Sequence, residues 1–473
     1  MPRRLVPAAL ALIAAISGAL AAVSASAARG DGAPSDVAEL ATPVLSPRRM
    51  PEVLAATVGQ ARLTASLDAA LDDPAIRGAD ACLTVERGET LVYARNPDIA
   101  LLPASTMKVL TGMAALRRLG EEYRYVTPLL TAGEPSSAGV IEGPAWFVGS
   151  GDPLLSTDAY AASFRNQPQV YTRLDQLADA VVAKGVKEIR GGIVGDESRY
   201  DNERYVPTWK PVYVTDNDVG PVSALTVNDG FTQFRPLPRK QAPQPALHAA
   251  GVLTELLRAR GVVVGEPTEG QVPPTATSLA DVQSPPLPEV IGQLLRESDN
   301  MTAELIVKEL GARFGGAGSW AAGLGVIRAT IEDAGLPVEP LRAADGSGLD
   351  VANRLSCSLL MDALDLAGPG GAVAAGFPVA GRTGTLSDRF KGSPAEGKLR
   401  AKTGSLNFVV GLAGFVESAG AGTLEFALLA NELPDRTATG RALQDRVGAV
   451  LSTYPETPSI AELEPLDAGD ERE

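Results

Sequence analysis

The chain is 473 residues long, 45% of them hydrophobic, with a formal net charge of −15. That is enough apolar material for two or three domains with substantial cores, which excludes a disordered or fibrous protein. The acidic balance, with no block of lysines or arginines, also lacks the electrostatic footprint of nucleic-acid binding.

Met1-Pro2-Arg3-Arg4 is basic, Leu5 to Val23 is uncharged and apolar, and Ala25-Ser26-Ala27 offers small residues for cleavage. Residues 1–27 therefore read as a secretory signal. The length of the apolar run leaves an uncleaved anchor as the alternative, which would tether the protein loosely to a membrane. No later stretch is long and apolar enough to cross a bilayer, so the rest is expected outside the cytoplasmic membrane. Residues 28–48 are small and polar, a flexible linker. Leu54 to Leu71 has helical spacing and stops before Asp72-Asp73-Pro74, and Ala81–Glu86 and Thr90–Ala94 flank Arg87-Gly88-Glu89 as a β-hairpin.

Then comes Pro103-Ala104-Ser105-Thr106-Met107-Lys108. Pro103 ends what precedes it, and Thr106 to Leu119 repeats apolar residues at three- and four-residue intervals up to Gly120, a helix C′ residue. Residues three apart share a helix face, so Lys108 stands one turn from Ser105, as a nucleophile and its base require. The same spacing describes an ordinary N-cap serine with a surface lysine, so the reading needs partners elsewhere.

From 121 to 275 short β-like runs alternate with Gly/Pro/Asp turns, with helical stretches at Leu174 to Lys184 and around His248. Gly149 and Gly151 match neither a dinucleotide fingerprint nor a phosphate-binding loop. Trp146, Tyr200, Tyr205 and Trp209 read as local core in preference to a groove. Helical spacing returns in Leu287 to Arg296, Met301 to Phe314 and Leu355 to Leu366, and Ser298-Asp299-Asn300 stands between the first two. Phe408 to Glu417 and Thr423 to Glu432 read as paired strands, with Lys402-Thr403-Gly404 leading into the first. Gly381-Arg382-Thr383-Gly384-Thr385 nearly copies that last pattern but lacks its lysine, and reads as a turn. Residues 456–473 are an acidic tail.

The single histidine, His248, leaves no multi-histidine zinc site and one base at most for a serine–histidine–aspartate triad. No metal or cofactor is expected, and serine chemistry would use lysine. Cys82 and Cys357 are too few for a disulfide framework; in an exported protein they form one bridge or stay as two buried thiols.

Three patterns thus stand in order: Ser105-x-x-Lys108, Ser298-Asp299-Asn300 and Lys402-Thr403-Gly404. That set resembles the active-site patterns of penicillin-binding proteins and class A β-lactamases. Around it, Gly149-Ser150-Gly151-Asp152-Pro153, Gly195-Asp196-Glu197-Ser198-Arg199, Pro221-Val222-Ser223-Ala224-Leu225, Asn300-Met301-Thr302-Ala303-Glu304, Asp345-Gly346-Ser347-Gly348-Leu349 and Gly384-Thr385-Leu386-Ser387-Asp388-Arg389-Phe390 resemble the D-alanyl-D-alanine carboxypeptidase/endopeptidase family, the low-molecular-mass class C penicillin-binding proteins. The resemblance runs from about Val53 to about Thr453.

It implies an α+β fold: a transpeptidase/β-lactamase-like domain, with an antiparallel sheet flanked by helices, split by an inserted mainly-β domain. The expected parts are 49–120 and 276–455 for the split domain and 121–275 for the insertion, which looks short for the two inserted domains family members often carry. The implied activity is serine-type D-alanyl-D-alanine carboxypeptidase or endopeptidase chemistry on peptidoglycan stem peptides, with β-lactam antibiotics as covalent inhibitors. Alternatives are a β-lactamase and a degenerate peptidoglycan-binding protein. The location would be the cell wall, periplasmic space or exterior.

By the same resemblance Ser105 is the nucleophile and Lys108 its base. Ser298 lies beside Lys108 and relays the proton to the leaving nitrogen. Asn300, Lys402, Thr403, Gly404 and Ser405 bind substrate, and the backbone N–H groups of Ser105 and Ser405 hold the oxyanion. Asp299 faces away as a structural residue. A neutral Lys108 requires a pKa far below ~10.4. A second ammonium ~4 Å away, at an effective dielectric of ~20, contributes about 4 kcal/mol toward that. Lys402 is the expected source, as the cation that binds the substrate's terminal carboxylate.

Overall fold

The computed structural model describes residues 51–339 and 341–456, so the expected signal (1–27), linker (28–48) and all but the first residue of the acidic tail lie outside the described residues. Helix α1 (Pro51–Leu71) is followed by a hairpin of β1 (Asp80–Arg87) and β2 (Thr90–Arg95), then α2 (Met107–Leu119). After the insertion come α3 (Leu287–Glu297), α4 (Asn300–Phe314), α5 (Trp320–Asp333) and α6 (Cys357–Ala367), then β3 (Leu399–Leu406), β4 (Val409–Glu417), β5 (Thr423–Asn431) and α7 (Ala438–Thr453).

The strands form one antiparallel sheet in the order β3-β4-β5-β1-β2. Side chains alternate across a strand, and here both faces are covered, so β4 and β5 read as continuous apolar runs. On one face Cys82, Phe415, Ala427 and Leu429 meet α2, α3, α4 and α6. On the other, Leu83, Val85, Leu412, Phe426 and Leu428 meet Leu63 and Leu67 of α1 and Leu443, Val447 and Leu451 of α7. Helix α2 is buried along nearly three turns, Met107 to Ala115. Truncating a side chain such as Leu110 there would cost about 2–5 kcal/mol.

Cys82 and Cys357 are joined as a disulfide with Cα atoms 6.0 Å apart, which settles the two alternatives in favour of a bridge between β1 and the start of α6. Lys402 does not lead into a strand; it lies within β3, at the sheet's edge, paired opposite Ala413. Helix α5 carries no expectation from the sequence, because Gly323 and Gly325 weaken its helical signal. Gly323 is needed for packing: a Cβ there would stand 1.9 Å from Val307 O on α4.

The insertion folds around a five-stranded sheet in the order 268–269, 193–196, 145–148, 126–131, 277–283, with two helices (Leu174–Ala183 and Pro245–Ala259) sharing its core through Leu177, Val181, Leu253 and Leu257. Strand Thr277–Gln283 pairs with Val126–Thr131, so the insertion's sheet runs past the expected boundary at 275. One stretch leaves it: Tyr200, Val206, Trp209, Tyr213 and Val222 join the core that also holds α2 and α4. The aromatics at 200 and 209 are therefore core, as expected, but core of the helix-and-sheet domain.

Candidate active site

Residues 104–106 form a single 3-10 turn that runs into α2 at Met107. Ala104 takes a left-handed backbone, φ +48°, which costs a non-glycine residue about 1–2 kcal/mol. Two glycines allow neighbouring chains to pass beside it. A Cβ on Gly348, itself at φ +86°, would lie 1.9 Å from Ala104 O, and one on Gly404 would lie 2.7 Å from Pro103 O and 3.3 Å from Ser105 N. The nucleophile's turn is thus wedged between the 345–350 turn and strand β3.

Lys108 Nζ is 3.0 Å from Ser105 Oγ, and the lysine is fully buried. Its other partners are Asn300 Oδ1 and the Ser347 carbonyl, each at 2.7 Å. Asn300 Nδ2 donates to the Asp218 carbonyl at 2.8 Å, which fixes the amide so that its oxygen faces Lys108. Both partners can only accept. A neutral amine that gives them its two hydrogens directs its lone pair at Ser105 Oγ, the arrangement for removing the serine proton.

Burial pushes Lys108 down to about 8, against the pull of the Glu304, Asp345 and Asp299 carboxylates. Lys402, also fully buried, falls well below the ordinary lysine value, first through burial and then through the charge on Lys108. Where three carboxylates act on Lys108, none is recorded among the described residues as acting on Lys402.

Ser298 ends α3 in the left-handed region, φ 59° and ψ 38°, which turns its hydroxyl toward β3. Lys402 Nζ donates to Ser298 Oγ at 2.8 Å and to the Thr403 carbonyl at 2.7 Å. Among the described residues the hydroxyl is thus bonded to Lys402, where the sequence reading placed it beside Lys108. Asp299 caps α4, accepting from Met301 N at 2.9 Å and from Thr302 Oγ1 at 2.5 Å.

Ser105, Ser298, Thr403, Gly404 and Ser405 line one cleft of about 380 Å³. Thr385, the last residue of the 381–385 turn, lines it too, its Oγ1 2.9 Å from Thr403 Oγ1. Thr385, Asp388 and Arg389 were therefore missed as cleft residues, although the near copy of the Lys402 pattern was their signal. Asp388 pairs with Arg165 of the insertion at 2.6 Å, and Arg389 with Asp445 and Gln444 of α7. A larger groove of about 530 Å³ on the insertion includes His248 but no candidate nucleophile from the three patterns.

A profile of the D-Ala-D-Ala carboxypeptidase 3 (S13) family matches residues 63–242 and 239–453. A D-alanyl-D-alanine carboxypeptidase of an Actinomadura species is 30% identical over 479 residues, 83% of this chain and 86% of the relative. Carboxypeptidase DacB of Mycolicibacterium smegmatis is 31% identical over 461 residues, 92% of this chain and 95% of its own. The crystal structure of penicillin binding protein 4 (dacB) from Haemophilus influenzae superposes with a TM-score of 0.68 at 20% identity, covering 84% of this chain and 99% of that one.

Proposed function

The chain belongs to the D-Ala-D-Ala carboxypeptidase 3 (S13) family, and from that premise we infer that it is a penicillin-sensitive serine carboxypeptidase acting on peptidoglycan peptides that end in D-alanyl-D-alanine. The observation that carries the reading is the 3.0 Å approach of Ser105 Oγ to a buried amine whose other two partners only accept.

The steps follow from the geometry. The substrate's terminal carboxylate settles against Lys402, Thr403 and Ser405 and stabilises Lys402 as a cation. Its charge, beside Lys108, favours the neutral form there. Ser105 Oγ attacks the carbonyl between the two D-alanines while Lys108 takes its proton. The N–H groups of Ser105 and Ser405 stabilise the oxyanion. Ser298 protonates the departing D-alanine nitrogen and is refilled from Lys402 Nζ, 2.8 Å away. The proton that Lys108 took from Ser105 passes to Lys402, which the refilling of Ser298 left neutral; Lys108, neutral again, takes a proton from the attacking water and returns it to Ser105 Oγ as the ester bond breaks.

Such a substrate lies outside the cytoplasmic membrane, so the enzyme acts there, exported by the segment 1–27 or held by it at the membrane. No helix among the described residues is long and apolar enough to cross one. The domain reading is proposed as well: a catalytic domain from 49–120 and the C-terminal stretch to 455, interrupted by the insertion. Fluorescent penicillin should label the purified protein covalently and leave Ser105→Ala unlabelled. Labelling that persists in the variant would move the nucleophile elsewhere, and an adduct that turns over rapidly would make the protein a β-lactamase.

A further inference from the structure

Two fully buried carboxylates, Glu304 and Asp345, act on Lys108. Neither belongs to the three active-site patterns. Glu304 is one helical turn beyond Asn300 on α4, and Asp345 opens the turn whose Ser347 carbonyl accepts from Lys108.

We propose that Glu304 and Asp345 are positioning residues for the base: they clamp the 345–350 turn so that its Ser347 carbonyl draws one hydrogen of Lys108 away from Ser105, beside the one that Asn300 holds, and they supply the negative field in which Lys108 gains and loses its proton. The inference rests on the assignment of Ser105 and Lys108 as nucleophile and base.

The clamp is read bond by bond. The peptide joining Ser347 and Gly348 offers its carbonyl to Lys108 and its N–H to Asp345 Oδ1, at 2.7 and 2.8 Å. That single peptide bridges base and carboxylate, and each bond polarises the other. The peptide before it donates Ser347 N to Glu304 Oε1 at 2.7 Å. Asp345 accepts three further bonds, from Asn353 Nδ2 at 2.8 Å, Asp350 N at 2.6 Å and Trp209 Nε1 at 2.7 Å. Burial pushes the Asp345 carboxyl up, and the four donors oppose it by favouring the anion.

Glu304 receives Trp320 Nε1 at 2.7 Å and Gly346 N at 3.2 Å on its other oxygen. Oε1 retains an unused lone pair. Burial and the neighbouring Asp345 push Glu304 up to about 7, so it is the member of the pair that changes charge near neutrality. The charged groups acting on Lys108 are Glu304 from α4, Asp345 from the turn and Asp299 from the cap of α4, with Lys402 from β3 coupled to it. Behind Trp320 stands Lys308, 4.0 Å from the ring centre and paired with Asp201.

The sign of the pH effect follows. An ionised Glu304 holds the proton on Lys108 and delays the neutral base. As the pH falls and Glu304 takes up a proton, that pull fades and Lys108 keeps its lone pair further into acid. Removing the charge outright extends the active range in the same direction.

The test is the acylation rate with fluorescent penicillin from about pH 5 to about pH 9. Glu304→Gln should move the midpoint of the acid limb down by about one unit, whatever happens to the plateau. A rate lowered by one factor at every pH, with the midpoint unmoved, would mean a purely structural role and overturn the proposal. If Glu304→Gln fails to fold, Trp320→Phe decides: it removes one donor from Glu304, makes its ionisation harder and should lower the midpoint by a smaller amount. An unmoved or raised midpoint in that variant overturns the proposal equally. Labelling of Ser105→Ala would instead sink the underlying assignment of nucleophile and base, an outcome distinct from either.

Discussion

Lys402→Met separates recognition from chemistry at this cleft. Methionine matches the length of the lysine stem and is suited to a position that is fully buried. The change leaves the Thr403 carbonyl and Ser298 Oγ without the amine, at about 1–3 kcal/mol for an orphaned acceptor. It also relieves the strongly unfavourable burial of the amine, so the fold should survive. What is lost is one charge-assisted bond to the ligand's carboxylate, about 1.5–3 kcal/mol, or about 10- to 150-fold in acylation rate. The assay compares benzylpenicillin with its methyl ester, which lacks the anion, in the parent protein and the variant. Acid and ester alike lose the proton relayed from Lys402 through Ser298, and the acid alone loses the further factor, so the ratio between them collapses toward one. An acid-to-ester ratio that is the same in both proteins would refute the reading of Lys402 as the carboxylate site.

Lys108→Ala should slow acylation about 10²- to 10⁴-fold, the usual contribution of a general base, while melting curves stay cooperative. If Lys108 is the base, its neutral amine is the active form, and since burial pushes it down to about 8, acylation should climb with pH and level off above that, as stopped-flow labelling would show. Gly348→Ala forces a Cβ to within 1.9 Å of Ala104 O at φ +86° and should cost about 2–4 kcal/mol in thermal or urea unfolding, with labelling of Ser105 impaired in whatever remains folded. Replacing Cys82 and Cys357 together by alanine should lower stability by about 2–5 kcal/mol and leave the acylation rate of the folded protein close to that of the parent.

The sheet and most of its helices were legible because their signals are local. The buried strands β4 and β5 show as apolar runs, α2 shows as helical spacing closed by Gly120, and the hairpin shows in Arg87-Gly88-Glu89. The three patterns were legible for the same reason, since each lies within a few consecutive residues. What escaped depends on approach between distant segments. The helical signal of α5 is weakened by Gly323, which its close approach to Val307 explains. The Ser347 and Asp218 carbonyls, which orient Lys108 and Asn300, are main-chain atoms and carry no side-chain signature. The bridge between Cys82 and Cys357 spans 275 residues, beyond any local pattern.

The insertion illustrates the same limit with a consequence for catalysis. Its sheet has its own core, yet residues 197–222 leave it to complete the domain that holds Ser105. Trp209 bonds Asp345, the Asp218 carbonyl fixes the Asn300 amide, and Arg199 and Tyr200 reach Glu309 on α4 at 2.7 and 2.9 Å. Glu309 is fully buried, and without Arg199 and Tyr200 its charge would be left to Arg313 and Tyr123 alone. The excursion is therefore bound to the helices around Ser105. It also accounts for the strain at the centre. Left-handed Ala104 and Ser298 and two buried lysines are each unfavourable alone, and they persist because the surrounding contacts leave them no relaxed alternative. Some of those contacts are made by the insertion, which is why deleting it should impair acylation at Ser105 as well as access to the cleft.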